Sequence, residues 1–278
     1  MTDVYVVRTE YTCPPSVIRP CTVGGTCYIG FLDDKTVLKY PTNEDNRYFI
    51  DVEARIFDAL GSHPRILRCF GTNEDGLILE YAPHGSVKQY LEKTPSTSMK
   101  QRVTWCRELV EAMVHMHSKY VLHCNISAGN LFLDESLSSK LADFQGTLKD
   151  PATGAPVVTG GITEMSKWYL RRAEGAESVE LVVPFNYQSS SSANGVPSRS
   201  DLFQALGTAI HEIVLGYEPF PELTSDMDDE VIQARFVAGQ FPDVGGIPGG
   251  EVMLKCWRQQ YGGAHECLAD LVALEEQC

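Results

Sequence analysis

The sequence predicts an α+β fold in which strands and one helix lead and helices dominate afterwards. Three stretches carry that prediction. Between residues 22 and 40 the apolar runs Tyr28-Ile29-Gly30-Phe31-Leu32 and Thr36-Val37-Leu38 flank Asp33-Asp34-Lys35, a turn-type cluster, so an antiparallel hairpin is expected. From Met99 to Lys119, Val103, Cys106, Leu109, Val110, Met113, Val114 and His117 recur at helical spacing on one face. Between Val121 and Gly146 two short apolar runs, 131–133 and 140–142, are separated by Asp134-Glu135-Ser136, which predicts a second hairpin with a polar loop at each outer end.

The remaining elements follow in order. Gly24-Gly25 permits a tight turn before the first hairpin. Residues 47–60 read as a helix in which Ile50, Glu53, Phe57 and Leu60 share a stripe, so Glu53 lies on the inward face. A carboxylate there is costly unless a cation meets it. Gly61-Ser62-His63-Pro64 stops the helix, Gly76 to Tyr81 reads as a buried strand, and Ala82-Pro83-His84-Gly85-Ser86 breaks the pattern. Thr147 to Ser166, rich in Gly, Pro and Thr, is expected to be loop. The Ser-rich stretch Gln188 to Ser198 is expected to be mobile. Ser200-Asp201-Leu202-Phe203 opens a helix with Asp201 at its start, and the acidic run Asp226 to Glu230 is expected on the solvated surface.

Length and charge bound the function. At 278 residues the chain holds one large or two small domains with a sizeable core. A net charge of −14 leaves no cation excess for phosphate backbones or anionic lipid, so neither nucleic acid nor membrane is an expected partner. Residues 1–20 lack the charged and apolar regions of a secretory signal. Nine irregularly spaced cysteines without a C-x-x-C point to reduced thiols in an intracellular, cytoplasmic or nuclear setting, and give no zinc-ligand spacing.

Chemistry concentrates in the second hairpin. Folding it brings Asn130 and Asp143 side by side, two oxygen ligands suited to Mg²⁺ with a phosphate as third party. His123-Cys124-Asn125 followed by Asn130, with Asp143-Phe144-Gln145-Gly146 beyond, resembles the H-R-D-x-x-x-x-N and D-F-G signature of the protein kinase family. The overall look is similar to that of small single-domain kinase-like proteins of fungi. Thr36-Val37-Leu38-Lys39 resembles the V-A-I-K strand, His63-Pro64-Arg65-Ile66-Leu67 the H-P-x-I-V turn, and Lys255-Cys256-Trp257 the last subdomain. Trp168 to Glu174 is a weak echo of W-Y-x-A-P-E.

The resemblance implies a bilobal fold: an N-terminal extension over 1–20, a mainly β N-lobe over 21–82 and a mainly α C-lobe over 83–278. An activation segment would cover about 143–174 and a mobile insertion 175–199. It implies ATP and Mg²⁺ as cofactors. Lys39, paired with Glu53, would reach the α/β-phosphates, and Gly24 and Gly25 would approach phosphate. Val37, Leu79 as gatekeeper, the backbone of Glu80 and Ala82, and Phe132 would receive the adenine, and Asn130 and Asp143 would bind metal. Two departures matter. Asn125 occupies the place of the catalytic aspartate, and its amide accepts no proton at neutral pH. Cys124 replaces the arginine that would meet a phosphorylated threonine. The sequence therefore admits a slow or inactive phosphotransferase acting on a Ser/Thr or other hydroxyl. It equally admits a non-catalytic pseudokinase serving as a nucleotide-dependent scaffold, or a small-molecule kinase. The protein or small-molecule substrate or partner stays open.

Overall fold

The structure is a computed structural model describing residues 13–24, 26–159, 199–223 and 229–278. Gly25, the W-Y-x-A-P-E echo, the Ser-rich stretch, most of the acidic run and the side chain of Asp201 lie outside the described residues. The chain divides into two compact units.

The first unit takes residues up to Ile50 together with Cys69–Tyr81. Strands β1 (Arg19–Val23), β2 (Cys27–Phe31) and β3 (Thr36–Pro41) precede helix α1 (Arg47–Leu60), whose first turn belongs here. Strands β4 (Cys69–Thr72) and β5 (Leu77–Glu80) complete an antiparallel sheet in the order β1-β2-β3-β5-β4. The expected hairpin is β2–β3. The Asp33 carboxylate fixes its turn by accepting the N–H groups of Lys35 at 2.7 Å and Thr36 at 2.8 Å. Gly76 is required at the β3–β5 contact, because a Cβ there would stand 2.0 Å from the Lys39 carbonyl oxygen. Phe31, Val37, Leu38, Leu77 and Leu79 are buried and form the apolar content of the sheet.

The second unit takes 51–68 and Ala82 onward. It begins with the rest of α1 and continues through α2 (Val87–Lys93) and α3 (Met99–Ser118) to strand β6 (Val121–Leu122). Next come strands β7 (Leu131–Leu133), β8 (Ser139–Leu141), β9 (Thr147–Lys149) and β10 (Pro156–Thr159). Helices α4 (Arg199–Leu215), α5 (Asp229–Val237), α6 (Gly250–Trp257) and α7 (Ala264–Glu275) close it. Ser86 caps α2 in a reciprocal capping box with Gln89. Helix α3 packs against α4, α7 and β8. Its buried surface is broader than one stripe. Trp105, Ala112 and Met116 join the expected apolar residues, while Val114 and His117 stay partly exposed. A helix with partners on several sides has no fully polar face.

Arg102 and Gly207 each serve contacts between helices. The Arg102 guanidinium donates to the carbonyls of Pro95 (2.9 Å), Thr97 (3.2 Å), Ile213 and Val214 (both 3.1 Å), closing the C-terminal end of α4. Gly207 lets α6 approach α4, since a Cβ there would meet the Trp257 indole nitrogen at 2.7 Å.

The stretch expected as loop after Gly146 is partly sheet. Residues 147–149 pair with β6 on one side and β10 on the other. The Asp150 carboxylate builds the β9–β10 turn, accepting from the N–H groups of Ala152 at 2.9 Å and Thr153 at 2.8 Å.

Candidate active site

The β7–β8 hairpin forms as its alternating pattern requires, with Leu131 opposite Leu141 and Leu133 opposite Ser139. Its turn hangs on Asp134, whose carboxylate accepts the N–H groups of Ser136 at 2.9 Å and Ser138 at 3.1 Å. The buried Glu108 of α3 accepts both the N–H and the hydroxyl of Ser139 at 2.8 Å. Just outside the paired residues, the Ala142 N–H reaches the Asn130 carbonyl at 3.0 Å, so Asn130 and Asp143 sit at the same end of the hairpin.

His123 organises the loop before β7. Its Nε2 is 2.8 Å from the Ala142 carbonyl oxygen, which only accepts, so Nε2 carries the proton. Nδ1 then accepts the Asn125 N–H at 3.3 Å. The ring is 1% exposed and meets Phe144 edge-on at 4.9 Å. The Asn125 carbonyl in turn accepts Asn130 Nδ2–H at 2.9 Å. Cys124 takes a positive φ of 63° and is half-buried, and burial pushes its thiol up to about 11. It supplies no cation where the arginine of the signature would stand.

Beyond β8, Asp143 also adopts a positive φ, 66°, a conformation that Asp tolerates better than most residues. Gln145 folds back on it through N–H to carbonyl at 3.0 Å and Nε2–H to carboxylate at 3.3 Å. Gly146 is forced by close passage, since a Cβ would lie 1.8 Å from the Leu122 carbonyl oxygen. Glu53 is fully buried on α1, as its place on the inward stripe requires. It accepts the Phe144 N–H at 3.0 Å. Phe144 is itself fully buried and meets Phe57 edge-on at 5.1 Å. Within the second unit the structure thus gathers Glu53, Asn125, Asn130 and Asp143 around one hydrogen-bonded segment. Phe132 is half-buried on β7, bridged to Ser86, and Ala82 is 8% exposed.

The first unit holds the other residues singled out by sequence. Lys39 lies inside β3, 6% exposed, between Ile29 of β2 and Leu77 of β5. Val37 and Leu79 are cross-strand partners, and Glu80 pairs with Thr36. Gly24 is exposed, and its N–H closes a turn to the Cys27 carbonyl at 2.8 Å.

Sequence reasoning passed over Glu212. This buried α4 carboxylate accepts the Ala128 N–H at 3.2 Å and so holds the loop of Asn125 from below. A lone acid within Ala209-Ile210-His211-Glu212-Ile213-Val214 was the available signal. Lys149 was also missed. It is 4% exposed, and its Nζ has no hydrogen-bond partner among the described residues.

Comparison with known proteins decides the family. The family described as protein tyrosine and serine/threonine kinase matches residues 35–262. The chain belongs to the protein kinase family. Its sheet-rich N-terminal part and helical later part are those of the bilobal kinase fold. Among curated relatives it is similar to the RasGEF domain-containing serine/threonine-protein kinase X of Dictyostelium discoideum. That match has 26% identity over 226 residues, 77% of this chain and 21% of the relative. It is 30% identical to Aurora kinase A-A of Xenopus laevis over 43% of this chain and 30% of the relative. It is 33% identical to mitogen-activated protein kinase kinase kinase 20 of Arabidopsis thaliana over 33% of this chain and 30% of the relative. The matched kinase region spans under a third of each relative's length. No helix among the described residues is long and apolar enough to cross a membrane.

Proposed function

We propose that this kinase-family domain binds ATP with Mg²⁺, and that phosphoryl transfer to a Ser/Thr or other hydroxyl is weakened or lost because Asn125 stands in the place of the base. Asn130 and Asp143 fit the metal's chemistry: both offer oxygen, the donor Mg²⁺ prefers. The Asn130 nitrogen is already engaged with the Asn125 carbonyl, leaving its amide oxygen as the ligand end. In this reading Lys39 pairs with Glu53 and meets the α/β-phosphates, with Gly24 and Gly25 near them. Val37, Leu79, Glu80, Ala82 and Phe132 receive the adenine. The lobes then divide at residues 82 and 83. Bound Mg²⁺ would neutralise phosphate charge.

The observation that supports the reading is the Asn125–Asn130 hydrogen bond, which on this reading would join the base position to the metal position. The Asn125 side chain can orient a substrate hydroxyl, but its neutral amide takes no proton from it. General-base terms are worth about 10²–10⁴ in rate, so nucleotide binding and turnover separate. The physiological acceptor would be a protein or small molecule. Nine free thiols and a net charge of −14 favour a reducing, cytoplasmic setting without nucleic acid.

A thermal-shift titration tests binding. Millimolar Mg-ATP should raise the melting temperature by mass action. A chain that melts at the same temperature with and without Mg-ATP would refute nucleotide binding.

A further inference from the structure

The connector from α1 to β4 carries one member of a histidine pair for which nucleotide binding has no use. His63 lies face to face with His115 of α3, ring centroids 4.2 Å apart and planes 12° from parallel. Hydrogen bonds place a proton on each ring. His115 Nε2 stands 2.9 Å from the Leu60 carbonyl oxygen, so it carries a proton. His63 Nδ1 stands 3.2 Å from the Arg65 N–H, so it must accept, and its proton sits on Nε2. His63 is therefore neutral, and its ring faces the Nε2-protonated ring of His115. It borders a cavity of about 400 Å³ that Glu111, Val114 and Leu268 also line.

A proton arriving at His63 must take the Nδ1 lone pair. That ends the bond to Arg65 and sets two N–H groups against each other. It also places a charge beside the His115 ring and the Arg65 guanidinium. Glu111 of α3 is the carboxylate facing the ring, and it is already paired with Arg65 at 2.7 Å and with Arg107. From α7 the neighbour is the uncharged Leu268, and α1 presents its Leu60 carbonyl to the partner ring. Burial, His115 and Arg65 accordingly hold His63 below the usual histidine range, with Glu111 opposing.

The Arg65 backbone is also the connector's anchor on β8. Its carbonyl accepts the Leu141 N–H at 2.9 Å, and the Leu67 N–H reaches the Leu141 carbonyl at 2.9 Å. Leu141 precedes Asp143 by two residues.

We propose that His63 and His115 form an acid-sensitive latch: while His63 is neutral the pair pins the connector to α3 and β8, and protonation of His63 releases the Arg65 amide and loosens the Leu141 pairing. The sign follows from linkage. A histidine whose folded pKa is depressed contributes in full above its unfolded value of about 6.5. That contribution declines as pH falls below it, until the folded protein itself takes up the proton.

His63→Asn provides the test, because its side-chain oxygen can accept the Arg65 N–H and does not titrate. Amide exchange at Leu141 and Leu67, read by NMR, should match in the two proteins at about pH 7.5. At about pH 5.5 the unmodified chain should exchange at least roughly fivefold faster than the variant. Burial also holds His211 low, but that residue is common to both proteins and cancels. Equal loss of protection in both, or a His63 ring that titrates at or above about 6.5, overturns the latch. His115→Phe keeps a stacked ring that can take up no proton. It should raise the His63 titration midpoint, and an unchanged midpoint also overturns the proposal.

Discussion

On the proposed function, Asn125 changes the destination of one proton. Its backbone is held by His123 through the N–H and by Asn130 through the carbonyl, so replacement by aspartate alters charge more than position. Asn125→Asp is expected to raise phosphotransfer at least roughly tenfold in a direct ATP-consumption assay, with little change in nucleotide affinity. Equal rates would remove the missing-base assignment. Asp143→Ala should abolish the Mg-ATP thermal shift while leaving a cooperative melt, because on the proposed reading the lost carboxylate is a ligand, and its neighbour Phe144 still fills the core. A shift retained at full size would take Asp143 out of the metal site. Signature spacing singles these residues out one by one in the sequence, and the structure brings Asn125 and Asn130 within a hydrogen bond. Glu212 was not legible, since nothing local in α4 says that its carboxylate will meet the Ala128 amide 84 residues away.

Elements were readable where pattern and length agree. The β2–β3 and β7–β8 hairpins follow from alternation around an aspartate turn, and α1 and α3 from long apolar spacing. The β9–β10 hairpin was not readable. Its strands have three and four residues, and Thr, Pro and Gly between them look like loop until Asp150 folds the turn. Helix α2 was passed over for its seven residues, although Ser86 and Gln89 carry its start signal. So short a helix depends on that cap. Ser86→Ala should cost about 1 kcal/mol, read as a lower denaturation midpoint with an unchanged slope. No change in midpoint would mean that packing of Val87 and Leu91 holds α2 unaided.

At the scale of the whole molecule, pH dependence exposes the cost of a buried cation. Burial pulls Lys149 down to about 8, with the Cys124 thiol opposing weakly. The unfolded chain, with a lysine near about 10.4, keeps its proton to higher pH. Below about 8 both states are charged and the folded one bears the full desolvation cost, and between about 8 and 10.4 stability gains as the folded amine goes neutral. Lys149→Met should therefore stabilise the protein near neutrality by on the order of 2 kcal/mol. The gain should shrink as pH rises toward 10, measured as the difference in chemical denaturation between the two proteins. Alkaline titration of buried Tyr and of Cys thiols remote from Lys149 affects both equally, whereas the Cys124 thiol loses a neighbouring cation in the variant. A variant less stable at every pH would mean that the Lys149 amine is stabilising where it lies.

The bond from Glu53 to the Phe144 amide has a mechanical corollary. A helix that grips the peptide next to Asp143 is a lever: α1 cannot roll about its axis without either dragging that peptide or letting go. Any binder that turns α1 would thereby reset the carboxylate of Asp143 without touching it.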